Sequence, residues 1–314
     1  MMPNGSTRSK AQRLRELLTG RTRAIPGACN ALTAMQIERA GFDIVYVSGA
    51  AISAARGLPD IGLIPLEDMT REAAAIARSV TVPTIVDADT GYGPPSVVQE
   101  AVREFERAGL AGMQIEDQEE TKKCGHLSGK RLIPTGDMVD KITAAVQAKR
   151  DRDFIIVART DARTVDGLQA AVQRSIAYAN AGADALFPEA LLSAEEFGTF
   201  ALAMRTAGVQ VPLIANMTEF GKTPYLSVEA FEALGYRGVL FPVSTLRVAA
   251  LAVEKLLQEL RFFGSQRAWL DHMMTRQELY RLLRYENGQD QTRSAYEPGD
   301  TSTARNENPG TAPV

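Results

Sequence analysis

The feature that most constrains the fold of this chain is a repeated alternation of short apolar runs and longer helical patterns. The runs occupy residues 24–28, 44–47, 84–86, 112–115, 154–158, 185–187, 213–215 and 238–241, eight in all. Several are rich in Val and Ile with no polar alternation, the pattern of parallel strands covered on both faces. Between and after them the spacing predicts helices over 31–40, 66–79, 96–108, 137–149, 167–181, 194–206, 228–234 and 244–263, with an amphipathic helix over 8–18 ahead of the first run. Gly41, Gly109, Gly182, Gly208 and Gly235 close five of these patterns or follow them directly, where a left-handed cap is easiest for glycine. Strand and helix alternating eight times predict an α/β fold, a (β/α)8 TIM-type barrel. A doubly wound open sheet is the runner-up, disfavoured because no G-x-G-x-x-G follows the first run.

A chain of 314 residues with 45% hydrophobic and 23% charged side chains accommodates one such barrel. The expected organisation is a single barrel domain over 1–286, with the N-terminal helix and a C-terminal helical extension, followed by a polar, disordered tail over 287–314. The extension is predicted as one helical stretch over 269–285, carrying Trp269, Leu270, Met273, Leu279, Leu282 and Leu283. Its apolar surface exceeds what a closed barrel needs, so it reads as a helix that joins subunits, or else as an extra layer on the same barrel. A net charge of -3 gives no basic excess, so neither nucleic acid nor a membrane surface is an expected partner. Two cysteines far apart in sequence, and a first segment without an apolar core, point to a reduced, cytoplasmic setting.

Active sites of barrels lie at the C-terminal ends of the strands. Polar residues collect there: Ser48 and Gly49, Asp87 and Asp89, Glu116 and Asp117, Arg159 and Asp161, Glu189, Asn216 with Thr218 and Glu219, and Ser244 with Arg247. One or two of these acids read alternatively as helix N-caps, Asp161 among the candidates. Asp87, Asp89, Glu116 and Asp117 form an oxygen-only set that calls for a hard divalent cation, Mg2+ first and Mn2+ second. Arg159, Arg247, Asn216 and Thr218 suit a small acid with several carboxylates. With no phosphate loop or redox motif, the simplest reaction is carbon–carbon cleavage beside a hydroxyl, with hydrogen-bond donors stabilising the developing enediolate.

The stretch from Glu116 to Lys130, E-D-Q-E-E-T-K-K-C-G-H-L-S-G-K, concentrates reactive groups in a Gly-punctuated loop. Lys122, Lys123 and His126 favour the thiolate of Cys124, which suits it to pass a proton to and from a carbanion. A nucleophilic cysteine is the rival reading.

These residues carry a resemblance. V-S-G, G-L-P-D, V-D-A-D-T-G-Y-G, I-E-D-Q, K-K-C-G-H, A-R-T-D-A, F-P-E-A, A-N-M-T-E-F-G and T-R-Q-E-L-Y, spread over about 13–285, resemble the isocitrate lyase and phosphoenolpyruvate mutase superfamily, and within it the carbon–carbon lyases that act on methylisocitrate. The resemblance implies a (β/α)8 barrel whose eighth helix is swapped between subunits, a homo-oligomer that is usually a tetramer, Mg2+, and cleavage of 2-methylisocitrate to pyruvate and succinate. It implies Asp87 and Asp89 as metal carboxylates and Glu116 as the acid that holds metal-bound water. Ser48, Gly49, Ala50, Gly125, Arg159, Glu189, Asn216, Met217, Thr218, Arg247 and Arg276 match substrate-contacting positions. Phe187, Leu240 and Pro242 match an apolar wall that makes room for a methyl group. Cys124 matches the catalytic thiol, with Lys122 and His126 beside it, and Tyr46 and Asp60 both remain candidates for handling the hydroxyl proton. Ala50 departs from the pattern, since relatives often carry glycine there, and its Cβ narrows the approach to the backbone. The large insertions of isocitrate lyases are missing. Sister reactions on 2,3-dimethylmalate, oxaloacetate or isocitrate stay open, as does a non-catalytic barrel acting as an assembly partner.

Overall fold

The computed structural model describes residues 8–123, 125, 129–286 and 289–290. Its elements follow in chain order. Helix α1 (Lys10–Thr19) precedes β1 (Arg23–Ala28), α2 (Ala31–Arg39), β2 (Val45–Val47), α3 (Gly49–Ala55), α4 (Leu66–Ser79), β3 (Thr84–Asp87), α5 (Pro95–Arg107) and β4 (Gly112–Glu116). Then come α6 (Thr135–Ala148), β5 (Ile155–Thr160), α7 (Leu168–Asn180), β6 (Ala185–Pro188), α8 (Ala194–Thr206), β7 (Ile214–Asn216), α9 (Val228–Leu234), β8 (Gly238–Phe241) and α10 (Ser244–Phe263). All eight strands are parallel, and β1 pairs with both β2 and β8. The ring closes where Leu186 bridges Leu213 in parallel and its amide donates to Pro212 O at 3.0 Å. The chain is a (β/α)8 barrel, as its alternating pattern predicts.

Two apolar layers hold it together. Inside the ring, Ile25, Tyr46, Ile85, Ile155, Val157, Phe187, Ile214 and Leu240 form one buried cluster. Leu14 and Leu18 of α1 join that cluster with almost no exposure, so the leading helix plugs one end of the barrel. Burying such a side chain stabilises the fold by roughly 1.5–3 kcal/mol. Ser9 caps α1, its hydroxyl accepting from Gln12 N at 3.1 Å. Between ring and helices, a second cluster takes the alternate strand residues, among them Val86, Met113, Ile115, Ile156 and Leu186. At Gly27 the backbone of β1 meets the chain after β8 so closely that a Cβ would lie 2.0 Å from Pro242 O, which only glycine permits.

Two features differ from the sequence-based expectation. Helix α3 was not expected: its residues, GAAISAA, lack the polar face that marks an amphipathic helix, but the Ser48 hydroxyl accepts from Ala51 N and starts it. The single helix expected over 269–285 is a 3-10 segment, Arg267–His272, followed after a break by helix α11 (Arg276–Leu282). A capping box restarts the chain there, with Thr275 and Glu278 bonding each other's backbone. All twenty residues of α10 escape burial, and Val248, Leu251, Val253 and Leu257 are more than half exposed.

The chain divides into compact units over 1–272 and 273–314. The second contains α11, a T-shaped Tyr280–Tyr285 ring contact at 5.3 Å, and a short antiparallel pair, Tyr285–Glu286 with Gln289–Asp290. The rest of the tail expected to be disordered lies outside the described residues. No helix among the described residues is long and apolar enough to cross a membrane.

Candidate active site

Strand alternation decides which polar residues face the interior. Ile155 and Val157 point into the barrel, so Arg159, two residues on, does too. The same count carries Ile44 and Tyr46 to Ser48, Ile85 to Asp87, Ala185 and Phe187 to Glu189, Ile214 to Asn216, and Leu240 to Pro242. The mouth is the interior register of each strand continued past its last apolar residue.

These ends enclose a cavity of about 250 Å³. Tyr46, Asp60, Asp87 and Glu189 line its acidic and phenolic side, with Lys122, Arg159 and Arg247 as cations. Ser48, Asn216 and Thr218 complete the polar lining, Ala50 and Gly125 also border the cavity, and Phe187, Leu240 and Pro242 form an apolar wall. Ala54, Val243 and Leu246, none of them expected, extend that wall. Gly49, Asp89 and Glu116 lie directly behind the lining. Met217 does not join it: its sulfur accepts from Leu226 N at 3.2 Å and it packs in the outer core, because it is one residue out of the interior register. Arg276 opens α11 in the second unit. Cys124 and His126 lie outside the described residues. Two hollows are much larger: one of about 540 Å³, among the loops near Lys10, Val80, Leu110 and Phe154, holds none of the strand-end polar residues, and one of about 910 Å³ is lined by Asp89 and Lys122 but by no arginine and none of the apolar wall. Chemistry rather than volume therefore identifies the site.

A chain of hydrogen bonds runs across the inner wall. The Tyr46 hydroxyl donates to Gln114 Oε1 at 2.7 Å, and Gln114 Nε2 donates to Asp87 Oδ1 at 3.3 Å. The same Asp87 oxygen accepts from Asp89 N at 3.2 Å, an Asx-type turn that holds Asp89 in the left-handed region at φ 48°. Lys122, its side chain 4% exposed, lies 2.6 Å from Asp89 Oδ1 and 2.7 Å from Asp60 Oδ1. Burial works against its ammonium, but Glu116, Asp89, Asp87 and Asp60 together outweigh that and raise its pKa well above the ordinary lysine value. Burial also lifts Asp89 to about 6 despite Lys122, and pushes Glu116 and Tyr46 well above their usual ranges.

On the opposite side, Arg159 is held in a fork by Asp161, Nε to Oδ2 at 2.9 Å and Nη2 to Oδ1 at 3.1 Å, and lies 5.2 Å over the Phe187 ring. Asn216 Nδ2 donates to Glu189 Oε2 at 3.1 Å. Arg247 sits 3.5 Å from Glu219, which also accepts from the Ser244 hydroxyl, and stacks over Phe220 at 5.3 Å. At the start of α3, Ser48 serves Ala51 N, while the first amides of any helix have no intrahelical acceptor.

The donor set fits a hydrated divalent cation. Among the described residues no three His, Cys, Asp or Glu side chains stand close enough to enclose a metal on their own. Mg2+ needs no such cage, because it keeps waters and binds through one or two carboxylates. Glu116 Oε2 is buried without a hydrogen-bond partner among the described residues; Arg159 Nη1 is 3.2 Å away but wrongly directed to donate. Gly49 leaves space beside Asp87 Oδ2, where a Cβ would come within 3.0 Å. Asp87, Asp89 and Glu116 are the residues that would hold the ion or its waters.

Two acids read from sequence have other partners. Asp117, one residue out of the interior register, accepts from Thr160, Tyr178, Arg174 and the Asp161 amide in the helix layer, so it leaves the expected oxygen set. Asp161 makes no side-chain cap and instead binds Arg159 and Lys130. Gln114 was missed, although counting back two residues from Glu116 along β4 would have found it. Lys130 stands in the reactive stretch yet received no role, since nothing in local sequence shows that its ammonium is buried.

The sequence profile of the phosphoenolpyruvate phosphomutase family matches residues 14–261. A 2-methylisocitrate lyase of Aeropyrum pernix is 49% identical over 93% of this chain and 90% of its own length. One from Bacillus subtilis is 46% identical over 83% of this chain and 84% of its own. Among solved structures, 2,3-dimethylmalate lyase superposes with a TM-score of 0.80 at 37% identity, over 88% of this chain and 92% of the other. Oxaloacetate acetylhydrolase, bound to 3,3-difluorooxalacetate, gives 0.82 at 35% identity over 87% and 93%. A phosphonopyruvate hydrolase in complex with oxalate and Mg2+ gives 0.79 at 30% identity over 88% and 95%.

Proposed function

The chain belongs to the phosphoenolpyruvate phosphomutase family, and from that premise we propose that it is a carbon–carbon lyase that splits 2-methylisocitrate into pyruvate and succinate. The observation that carries this reading is the pairing of Arg159 with the apolar wall of Phe187, Leu240 and Pro242 in one small cavity. A guanidinium receives a carboxylate, and the wall beside it receives a methyl group. Such a methyl contact is worth about 1–3 kcal/mol, so the preference over isocitrate is real without being absolute.

Mg2+, when bound at Asp87 and Asp89, supplies charge neutralisation and orients the 2-hydroxy acid. The remaining work falls to the chain. Arg159, Arg247, Asn216 and Thr218 hold the carboxylates. Asp60 takes the hydroxyl proton; Tyr46 is the weaker candidate because burial keeps its hydroxyl protonated and Gln114 accepts that proton's hydrogen bond. As the hydroxyl oxygen becomes the ketone of pyruvate, the bond between the two halves breaks. The electron pair passes to the succinate half as an enediolate, and the Cys124 thiol returns a proton to its carbon.

The exposed apolar residues of α10 fit a helix that packs on a second copy of the chain, giving a homo-oligomer and, by family likeness, a tetramer. A cytoplasmic setting suits such an enzyme.

A coupled pyruvate assay with 2-methylisocitrate and isocitrate side by side, with and without EDTA, tests the reading. Pyruvate from the methylated acid with Mg2+ present is the expected result, and Cys124→Ser should nearly abolish it while the fold persists. Higher kcat/KM on 2,3-dimethylmalate or oxaloacetate would move the chain to a sister reaction. No turnover of any of these acids would return it to a non-catalytic role.

A further inference from the structure

The mechanism above gives no task to Lys130, whose side chain is 1% exposed. A lysine ammonium is seldom buried so completely, because its desolvation costs several kcal/mol unless close partners compensate. Two do. Its Nζ donates to Asp161 Oδ1 at 2.7 Å and to the carbonyl of Gly125. Asp161, also fully buried, is the carboxylate that forks Arg159, and one oxygen, Oδ1, accepts from Lys130 and from Arg159 Nη2.

Gly125 is the other end of the arrangement. Its backbone lies so close to the cavity wall that a Cβ would stand 2.4 Å from Arg159 Nη2 and 2.6 Å from Glu189 Cγ. The chain at Gly125 therefore rests directly on the guanidinium that lines the cavity. Lys130 ties the same backbone to the carboxylate that orients that guanidinium.

We propose that Lys130 and Asp161 form a buried clamp that seats Gly125 against Arg159, making Lys130 a positioning residue that couples the reactive stretch to the substrate-side arginine. The functional half of this rests on Arg159 receiving a substrate carboxylate. Without the ammonium, Gly125 O loses its donor, and Asp161 keeps only Arg159. The backbone can then lift from the guanidinium, and Arg159 gains freedom to turn.

The test uses the full chain with Lys130→Met, which keeps length and loses charge, and Asp161→Asn as a second variant. Hydrogen–deuterium exchange is followed without ligand in the peptide containing Lys122, Lys123 and Gly125, and kinetics are measured in parallel. The clamp predicts exchange in that peptide at least about tenfold faster than wild type, a rise well beyond any in the barrel helices, whatever fall in Tm follows from unpairing a buried charge. It also predicts a loss in kcat/KM of about tenfold or more, and less than additive effects when Lys130→Met is combined with Arg159→Lys. Unchanged exchange in that peptide in both variants overturns the clamp, as does an increase spread over the whole barrel with a matching fall in Tm. Additive kinetics would overturn the coupling to Arg159. If the wild-type chain releases no pyruvate, the lyase reading fails, while the exchange comparison still decides the clamp.

Discussion

The Tyr46 hydroxyl donates to Gln114 Oε1 at 2.7 Å, which makes the tyrosine a donor within a buried chain that ends on Asp87. Burial first, and the charge of Asp87 second, raise the pKa of that hydroxyl well above the ordinary tyrosine value. Tyr46→Phe should leave Gln114 Oε1 without its partner, costing about 1–3 kcal/mol of stability and roughly tenfold to a hundredfold in kcat through a disturbed Asp87. Asp60→Asn should cost more, about a hundredfold to ten-thousandfold, as expected when a proton acceptor is removed. Steady-state kinetics on both variants check the order. A larger kcat loss in Tyr46→Phe would give the proton to the tyrosine instead.

Gly125→Ala places a Cβ 2.4 Å from Arg159 Nη2 and 2.6 Å from Glu189 Cγ, inside the distances that real contacts allow. Either the backbone lifts or the guanidinium moves. A misplacement near 1 Å costs on the order of a hundredfold in rate. Turnover should therefore fall by about that much, while circular dichroism stays native, since the strained contact is at the mouth and outside the core. Near-normal kcat would mean that Arg159 can shift without consequence.

Much of this arrangement is written in the sequence, and the lapses have physical causes. Parallel strands buried on both faces appear as unbroken apolar runs, so the polar residues that follow them mark the mouth: Ser48, Asp87, Arg159, Glu189 and Asn216 all line the cavity. Such runs conceal which face is which, because both faces are apolar. Asp117 and Met217 were accordingly assigned to the mouth although each is one residue out of register, and Gln114 was overlooked inside it. The break before α11 was legible, since Thr275 and Glu278 are spaced as a capping box, but the apolar residues on either side gave the impression of one continuous helix. The Lys130–Asp161 contact joins positions 31 residues apart, and local pattern carries no information on it.

Chelation gives a third expectation. Asp87, Asp89 and Glu116 gather carboxylates in a buried space where, among the described residues, Lys122 and Arg159 oppose their charge. EDTA should abolish pyruvate release and added Mg2+ should restore it. Asp87→Asn should weaken Mg2+ binding by at least about tenfold, measured by calorimetry on the resting protein, because one hard oxygen ligand is lost. Equal affinity in the variant and wild type would place the ion elsewhere.

The last expectation concerns the support of the mouth rather than its chemistry. Arg163, in the short turn after β5, forks Glu196 on α8, Nε to Oε2 at 2.8 Å and Nη2 to Oε1 at 2.6 Å. The hydrogen bonds from Arg163 are the main reason that the Glu196 pKa lies below its ordinary 4.5. A carboxylate whose folded pKa is depressed adds stability that is complete above the unfolded value and is lost as pH falls through the folded one. Arg163→Met should therefore lower Tm at neutral pH by about 1–3 °C, in line with a partly buried surface pair worth roughly 0.5–1 kcal/mol. The gap from wild type should begin to narrow below about 4.5 and close as the pH drops past the depressed folded value. Thermal melts of both proteins across that range check it. A gap that stays constant with pH would show that Arg163 holds α8 by packing its stem, with no contribution from the charge on Glu196.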